Sequence, residues 1–464
     1  MKPMMRLFRL VSGFLAVCTL SACESLDKIT WSPDGLKVAV LADSSIKFGD
    51  SEGTLSQSAP IKAKLFRWLP DGKRALVIVE KTGCNWEEIK PLLSPEEIDK
   101  TVSIGEEVWN FHGSMAKLEE SQRKKNASSD YIFPYLESKY GRPALLKKMD
   151  ELESKIAQDD LKTLSSLSSI YSLQLITVEE DKIENGPVIM RSPSEITDLR
   201  VSPNGEMVLV SEDKGGQGCS LYLAFVNGNK PCFLESRTSK YPDWSADGSY
   251  AVFALSNRGS SEEGSTNGTI PLAMLMTEKI KYDHGLLQMS SGGELCKLAF
   301  SKDTRMRTLP DGNILFNAIE TELPNASDLL DKSHLYEVSI KNHTPEKIKL
   351  KGDSLGDDLS HFELNKSGNK VAVADESGAV RVLDLNTDTV TTLEKGLAHA
   401  DSPELKFNPA WRNEDELCFA RRAGTSNFDV VLQSVAKQDS RVISSNWPIQ
   451  EMKFLNPSAV NVSR

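Results

Sequence analysis

The chain has 464 residues, with 66 acidic against 55 basic side chains and a formal net charge of −11. That excess repels phosphate backbones and anionic headgroups, which excludes nucleic acid as a partner and any basic patch as a membrane anchor. A hydrophobic content of 39% is enough for a core, and 26% charged residues is ordinary for a globular protein.

In chain order, Lys2, Arg6 and Arg9 precede an apolar segment from about Leu10 to Leu20, which runs into Leu20-Ser21-Ala22-Cys23. The apolar part is too short to span a bilayer, so residues 1–22 read as a secretory signal. The tetrapeptide resembles the lipobox of bacterial lipoproteins. That resemblance implies cleavage between Ala22 and Cys23, lipid on Cys23, and membrane attachment through that lipid. Glu24, standing where Asp would retain the protein, implies an outer-membrane lipoprotein facing the periplasm, with the inner membrane as the lesser alternative. Loss of residues 1–22 removes three positive charges and no negative ones, so the mature chain is more acidic still.

Trp31-Ser32-Pro33-Asp34-Gly35 then opens a motif that recurs along the chain, each copy followed by a short apolar run. Proline presets φ for the turn, and Asp-Gly supplies a side-chain acceptor and a residue at ease with positive φ. Further copies are Trp68-Leu69-Pro70-Asp71-Gly72, Val201-Ser202-Pro203-Asn204-Gly205, Trp244-Ser245-Ala246-Asp247-Gly248, Thr308-Leu309-Pro310-Asp311-Gly312 and Leu364-Asn365-Lys366-Ser367-Gly368. Trp411-Arg412-Asn413-Glu414-Asp415 is a degraded seventh. About four short strands repeating at roughly 40 to 50 residues is the pattern of a β-propeller blade. The fold class expected for residues 23–464 is therefore all-β, a β-propeller of seven blades, or six if the degraded copy is only a closing element. Ile449 to Phe454 is expected to latch the ring, and the repeated tryptophans to pack between blades. The motif resembles the W-S-P-D-G repeats of the TolB-type (PD40, WD40-like) propeller family, which implies the fold and leaves the ligand open.

The pattern breaks from about Cys84 to Ser169. Ser94-Pro95-Glu96-Glu97 and Ser103-Ile104-Gly105-Glu106 fit the capping box, Ile104, Val108, Phe111, Met115 and Leu118 form an apolar face, and Pro143 starts another helix. This predicts a helical hairpin inserted over residues 84–169 of blade two. It reads first as a decoration on the rim and second as a partner-binding arm, with Trp109, His112, Tyr131, Phe133 and Tyr135 as the candidate contact residues. Ser256 to Thr269, rich in Ser, Gly and Glu, is expected to be a surface loop.

Little in the chain carries chemistry. Gly352-Asp353-Ser354-Leu355-Gly356 with Asp358-Leu359-Ser360-His361 mimics the blocks of G-D-S-L lipases, but a nucleophile elbow needs a strand before it and a helix after it. The six histidines, His112, His284, His334, His343, His361 and His399, show no helical metal-pair spacing. Cys219 and Cys232 flank a turn at offsets that differ by about four residues, a stagger of more than a disulfide spans at roughly 3.4 Å per residue. No cofactor motif is present and no metal site is expected. The reading is a lipid-anchored periplasmic propeller acting as a protein-binding or scaffold module with an envelope protein partner, with the question of an enzyme left open and set below that role. The alternative is an envelope hydrolase or lyase acting on peptides or glycans in the central channel.

Overall fold

A computed structural model describes residues 29–448 apart from 43–44, 111–130, 152–167, 180–182, 215–217, 257–271, 284–285, 300–303, 320–332, 342–343, 346–348, 352–361, 375–378, 396–407 and 424–426. Ala22, Cys23, most of the loop after Ser256, the block from Gly352 to His361 and the closing segment from Ile449 lie outside the described residues.

The strands pair antiparallel in four-stranded units. The first has β1 (Ile29–Trp31), β2 (Val38–Ala42), β3 (Ser45–Gly49) and the first half of β4 (Leu55–Trp68). The second half of β4 opens the next unit, with β5 (Arg74–Lys81), β6 (Ile170–Val178) and β7 (Ile183–Ser192). Unit three is β8 (Ile196–Val201), β9 (Met207–Asp213), β10 (Cys219–Phe225) and β11 (Cys232–Thr238). Unit four is β12 (Asp243–Trp244), β13 (Tyr250–Ser256), β14 (Leu272–Asp283) and β15 (Leu286–Ala299). Unit five is β16 (Met306–Thr308), β17 (Ile314–Ile319), β18 (Ser333–Val338) and, past a small ladder of β19 (Ile340–Lys341) with β20 (Thr344–Pro345), β21 (Lys349–Lys351). Unit six is β22 (Phe362–Leu364), β23 (Lys370–Ala374), β24 (Val380–Asp384) and β25 (Thr389–Glu394). Unit seven is β26 (Ala410–Trp411), β27 (Glu416–Ala423), β28 (Asn427–Ser434) and β29 (Ser440–Pro448). Cys232 pairs opposite Leu223, well along β10 from Cys219, and the two form no disulfide.

The motif makes the turn between the first two strands of a unit. Ser32 donates its hydroxyl to Asp34 Oδ1 at 2.5 Å and accepts from the Lys37 N–H at 2.9 Å, while Asp34 Oδ1 also accepts from the Leu36 N–H at 3.0 Å. Ser202 with Asn204 and Ser245 with Asp247 repeat this arrangement. The motif glycine has a second task, because it abuts the motif of the preceding unit. A Cβ on Gly205 would stand 3.0 Å from Pro70 Cδ, one on Gly248 3.2 Å from Pro203 Cδ, and one on Gly368 2.4 Å from Pro310 Cδ. The tryptophans also bind backwards, since Trp68, Trp244 and Trp411 donate their indole N–H to the carbonyls of Thr30, Arg200 and Glu363.

Apolar faces of neighbouring units stack on one another. Leu41, Phe48, Trp68 and Val77 join units one and two, Leu76, Leu173, Leu199 and Val208 join two and three, and Phe225, Phe253, Met306 and Phe316 span three to five. Leu315 packs with Phe362 and Val371 between five and six, and Val382 with Phe419 and Val431 between six and seven. Ile29, Trp31, Val38 and Val40 pack with Ala410, Cys418, Val430 and Leu432, so the first unit also neighbours the seventh. Arg412 reinforces this junction by donating Nε to the Gly35 carbonyl at 3.2 Å, with its guanidinium 5.4 Å from the Trp31 ring centroid.

Helices lie between β5 and β6: α1 (Trp86–Ile89), α2 (Pro95–Asn110), α3 (Ile132–Tyr140) and α4 (Arg142–Glu151). Ser94 and Glu97 cap α2 reciprocally. Ser103 and Glu106, expected to cap a helix, lie inside α2 instead. The expected two-helix hairpin is also corrected, for α1 has its own capping box of Asn85 with Glu88, and α3 is an additional helix. Trp86, Ile89, Leu93, Ile104, Ile132, Leu136 and Leu145 give these helices a core of their own. The chain is thus not purely all-β: it is a propeller-like array of antiparallel sheets that also carries helices. Among the described residues, no helix is long and apolar enough to cross a membrane.

Candidate functional site

The residues expected to form a partner-binding arm do not share a surface. Tyr131, Phe133 and Tyr135 are buried in the helical core, where Tyr135 meets the Trp86 ring edge-on at 5.4 Å and Tyr131 donates its hydroxyl to the Pro193 carbonyl. Burial removes these three from any contact face. Trp109 is half-buried and stacks on Tyr140 with centroids 3.7 Å apart, and His112 lies outside the described residues.

A different set of residues does converge. At six of the seven junctions the first strand of a unit neighbours that of the next, β1 with β4, β4 with β8, β8 with β12, β12 with β16, β22 with β26, and β26 with β1. The residue just before the motif therefore comes from every unit to the inner edge of the array: Thr30, Arg67, Arg200, Asp243, Arg307, Glu363 and Ala410. Two residues earlier, on the same face of a strand, stand Asp198, Tyr241 and Arg305. Sequence reasoning missed this set because it compared the motif copies with one another and not the positions before them. The signal was there, since five of the seven residues at that position are charged.

These charges organise each other. Asp198, with 1% of its side chain exposed, holds Arg67 Nη2 at 2.9 Å through Oδ1 and Arg200 Nε at 3.4 Å through Oδ2. Glu363 Oε2 meets Arg307 Nη2 at 3.0 Å and Arg305 Nη1 at 3.3 Å. The Arg305 guanidinium lies 4.2 Å from the Tyr241 ring centroid, an arrangement that favours the cation over the ring face. Asp243 accepts from the Thr308 N–H at 2.8 Å. Its side chain is half-buried. Burial pushes its pKa up to about 6, and Glu363 adds to the rise, against the pull of Arg200 and of the Thr308 and Trp244 N–H groups.

A second cluster joins the middle of β4, the end of β5, the start of β6 and the residue before β8. Lys64 meets Glu80 at 2.9 Å and Glu195 at 3.7 Å, and Glu80 accepts from the Ser169 hydroxyl at 2.7 Å and from that of Tyr171 at 3.2 Å. Burial raises the Glu195 carboxyl, with Lys64 and Lys240 opposing. The cluster lies at the foot of the helices, where the Cys84 N–H donates to the Ser168 carbonyl. Among the described residues, no group of three histidine, cysteine or acidic side chains is arranged to hold a metal ion.

The sequence matches no protein-family model and no curated protein. Solved structures of similar fold include TolB from Acinetobacter baumannii, at 16% identity over 60% of each chain and a TM-score of 0.39. Kuenenia stuttgartiensis hydrazine synthase matches at 11% identity over 90% of this chain and 94% of its own, with a TM-score of 0.47. The β-propeller domain of the trilobed protease from Pyrococcus furiosus matches at 10% identity over 89% and 95%, also with 0.47. At such identities the likeness concerns fold alone. It does correct one expectation. The sequence reading set an enzymatic role below a non-enzymatic one, but similar folds are found in chains named for enzymes, so the fold gives no ground for that order.

Proposed function

We propose that this chain is a seven-bladed, TolB-like propeller of the bacterial envelope, lipid-anchored through Cys23 to the outer membrane, and that it is a hydrolase or lyase acting on peptides or glycans at its axis. The signal and lipobox pattern before Cys23 supports the anchor, and the packing of unit one on unit seven supports a closed ring. The observation that carries the enzymatic reading is Asp243. A carboxyl with a pKa near 6, near enough to Glu363 to be raised by its charge, and Glu363 with its two arginine partners make a pair of acids in contrasting surroundings, the condition for proton donation and acceptance at one site. In this reading Asp243 gives a proton to the leaving atom, Glu363 receives the proton of the attacking water or of the substrate carbon, and Arg200 and Arg307 hold negative charge as it develops.

The test is product formation by the full chain in detergent from soluble envelope peptides and glycans, read as new amines or new reducing ends. Asp243→Asn and Glu363→Gln should both abolish it, whereas equal product from Asp243→Asn sinks the assignment. A protein partner remains a second reading, favoured by the stacked, half-buried Trp109–Tyr140 pair on the helices. Replacing residues 86–167 with a short linker should then release the partner, and unchanged co-purification refutes that role.

A further inference from the structure

The chain enters the array and the helices leave it on one face. Motif turns of successive units touch, since a Cβ on Gly72 would stand 3.3 Å from Asp34 Oδ2 and one on Gly205 3.0 Å from Pro70 Cδ, while Arg412 reaches Gly35. These turns therefore share a face. Ile29 pairs with Val40 and Trp31 with Val38, which puts the start of β1 at the end of unit one away from its motif turn. In unit two, Arg74 beside the motif pairs with Thr177, and Lys81 pairs with Ile170, so the helical insertion departs from that same opposite face. It is also held there, by the Cys84 N–H on the Ser168 carbonyl and by the Tyr131 hydroxyl on the carbonyl of Pro193, between β7 and β8. Tyr140 stands at the other end of α3, nine residues long, about 13 Å along its axis. There it stacks on Trp109 and donates its hydroxyl to Glu106 at 3.2 Å. The cations beside it are matched by acids, Lys139 with Glu106 and Arg142 with Glu137, and the two cations expose 40% and 52% of their side chains.

We propose that the Trp109–Tyr140 end of the insertion is a contact surface for the zwitterionic headgroups of the bilayer that holds the chain. The inference rests on lipid anchorage at Cys23 and gives this end a lipid contact in place of a protein one. Ile29 is six residues after Cys23, and a chain of that length reaches at most about 20 Å. The face from which β1 starts is thus kept close to the bilayer, and the motif turns lie on the far side. Helix α3, on the near face, is long enough to cross most of that gap, and the headgroup layer extends about 5–7 Å beyond the hydrocarbon. Tryptophan and tyrosine settle in that layer because each joins an apolar ring to a polar hydrogen donor. Paired charges of both signs suit headgroups that carry both, whereas an anionic surface is repelled by the acidic chain.

Labelling of the full lipidated chain with a maleimide-linked polymer tests this, on vesicles of phosphatidylcholine alone and in detergent. Two exposed asparagines are changed to cysteine in turn, with wild type as the background: Asn110, beside Trp109, and Asn227, in the turn after β10 on the motif face. Asn110→Cys should label at least about tenfold more slowly on vesicles than in detergent, and Asn227→Cys at the same rate in both. A second measurement needs no cysteine: the fluorescence of Trp109, taken as the difference between wild type and Trp109→Phe, should be quenched by brominated phosphatidylcholine. Equal rates for Asn110→Cys in the two media, slowing at Asn227→Cys instead, slowing that appears only when phosphatidylglycerol is added, or an unquenched Trp109 overturns the proposal. The first of these returns the helices to a protein partner. Flotation of the chain with the vesicles reads the anchor separately. A chain that floats and shows any of these results keeps the anchor and loses the headgroup contact, whereas one that does not float loses both.

Discussion

Gly368 and Gly83 have the same backbone, φ +68°, but different surroundings. A Cβ on Gly83 would meet nothing within 4 Å, whereas one on Gly368 would stand 2.4 Å from Cδ and 2.9 Å from Cγ of Pro310 in the preceding unit. Alanine at either position carries the left-handed penalty, about 1–2 kcal/mol. Only Gly368→Ala adds overpacking, and against a rigid proline ring that term is about 1–3 kcal/mol. Gly83→Ala should therefore cost about 1–2 kcal/mol and Gly368→Ala about 2–5 kcal/mol. Urea denaturation followed by tryptophan fluorescence measures both. Equal losses would refute the claim that the motif glycine seats its unit against the preceding one, and would leave it a turn residue only.

Three further outcomes follow from the same contacts. Asp198→Ala leaves Arg67 and Arg200 facing each other with no carboxylate between them and should cost about 3–5 kcal/mol in urea denaturation. Trp244→Phe removes the N–H that meets the Arg200 carbonyl at 2.8 Å and empties the space of the second ring in a buried site, so a loss of about 2–4 kcal/mol is expected by the same assay. The hydroxyl of Ser245 first, and then the Ser249 N–H and hydroxyl, hold the Asp247 carboxyl below its usual range. A carboxyl so lowered stabilises the fold above its unfolded pKa, and the contribution fades as pH falls through the folded value. The stability gap between wild type and Asp247→Asn should accordingly be present at neutral pH and close in acid, and a gap that widens in acid contradicts the assignment.

How far the fold could be read from the sequence depended on how local its cause was. The turns were readable because Ser32, Asp34 and Gly35 satisfy one another within a few residues. The start of α2 was readable because Ser94 and Glu97 close a box across three positions. Elements set by distant packing were not. Helix α3 lacks a side-chain cap and carries a proline, and it exists because Ile132, Phe133 and Leu136 find Trp86 and Ile104 across the insertion. The same burial explains why aromatic residues that looked like a contact surface, Tyr131, Phe133 and Tyr135, are core.

The axial charges show a third case, in which the information was present but distributed. Arg67 alone is one charged residue before a tryptophan, and Glu363 alone is one acid in a strand. Only a common position in the repeat brings them to one edge, because a propeller-like array superimposes residues that lie some 40 to 50 positions apart in the chain. The repeat has a further consequence for what can vary. Positions within the motif are constrained on both sides, by their own turn and by the neighbour they support, as Gly368 and Pro310 are. At the position before the motif, the carbonyls of Thr30, Arg200 and Glu363 are used by Trp68, Trp244 and Trp411 without regard to the side chain attached. Those side chains are therefore free to differ from unit to unit while the architecture is kept. Threonine, arginine, aspartate, glutamate and alanine all occur there, which is what a site assembled on a repeated scaffold requires.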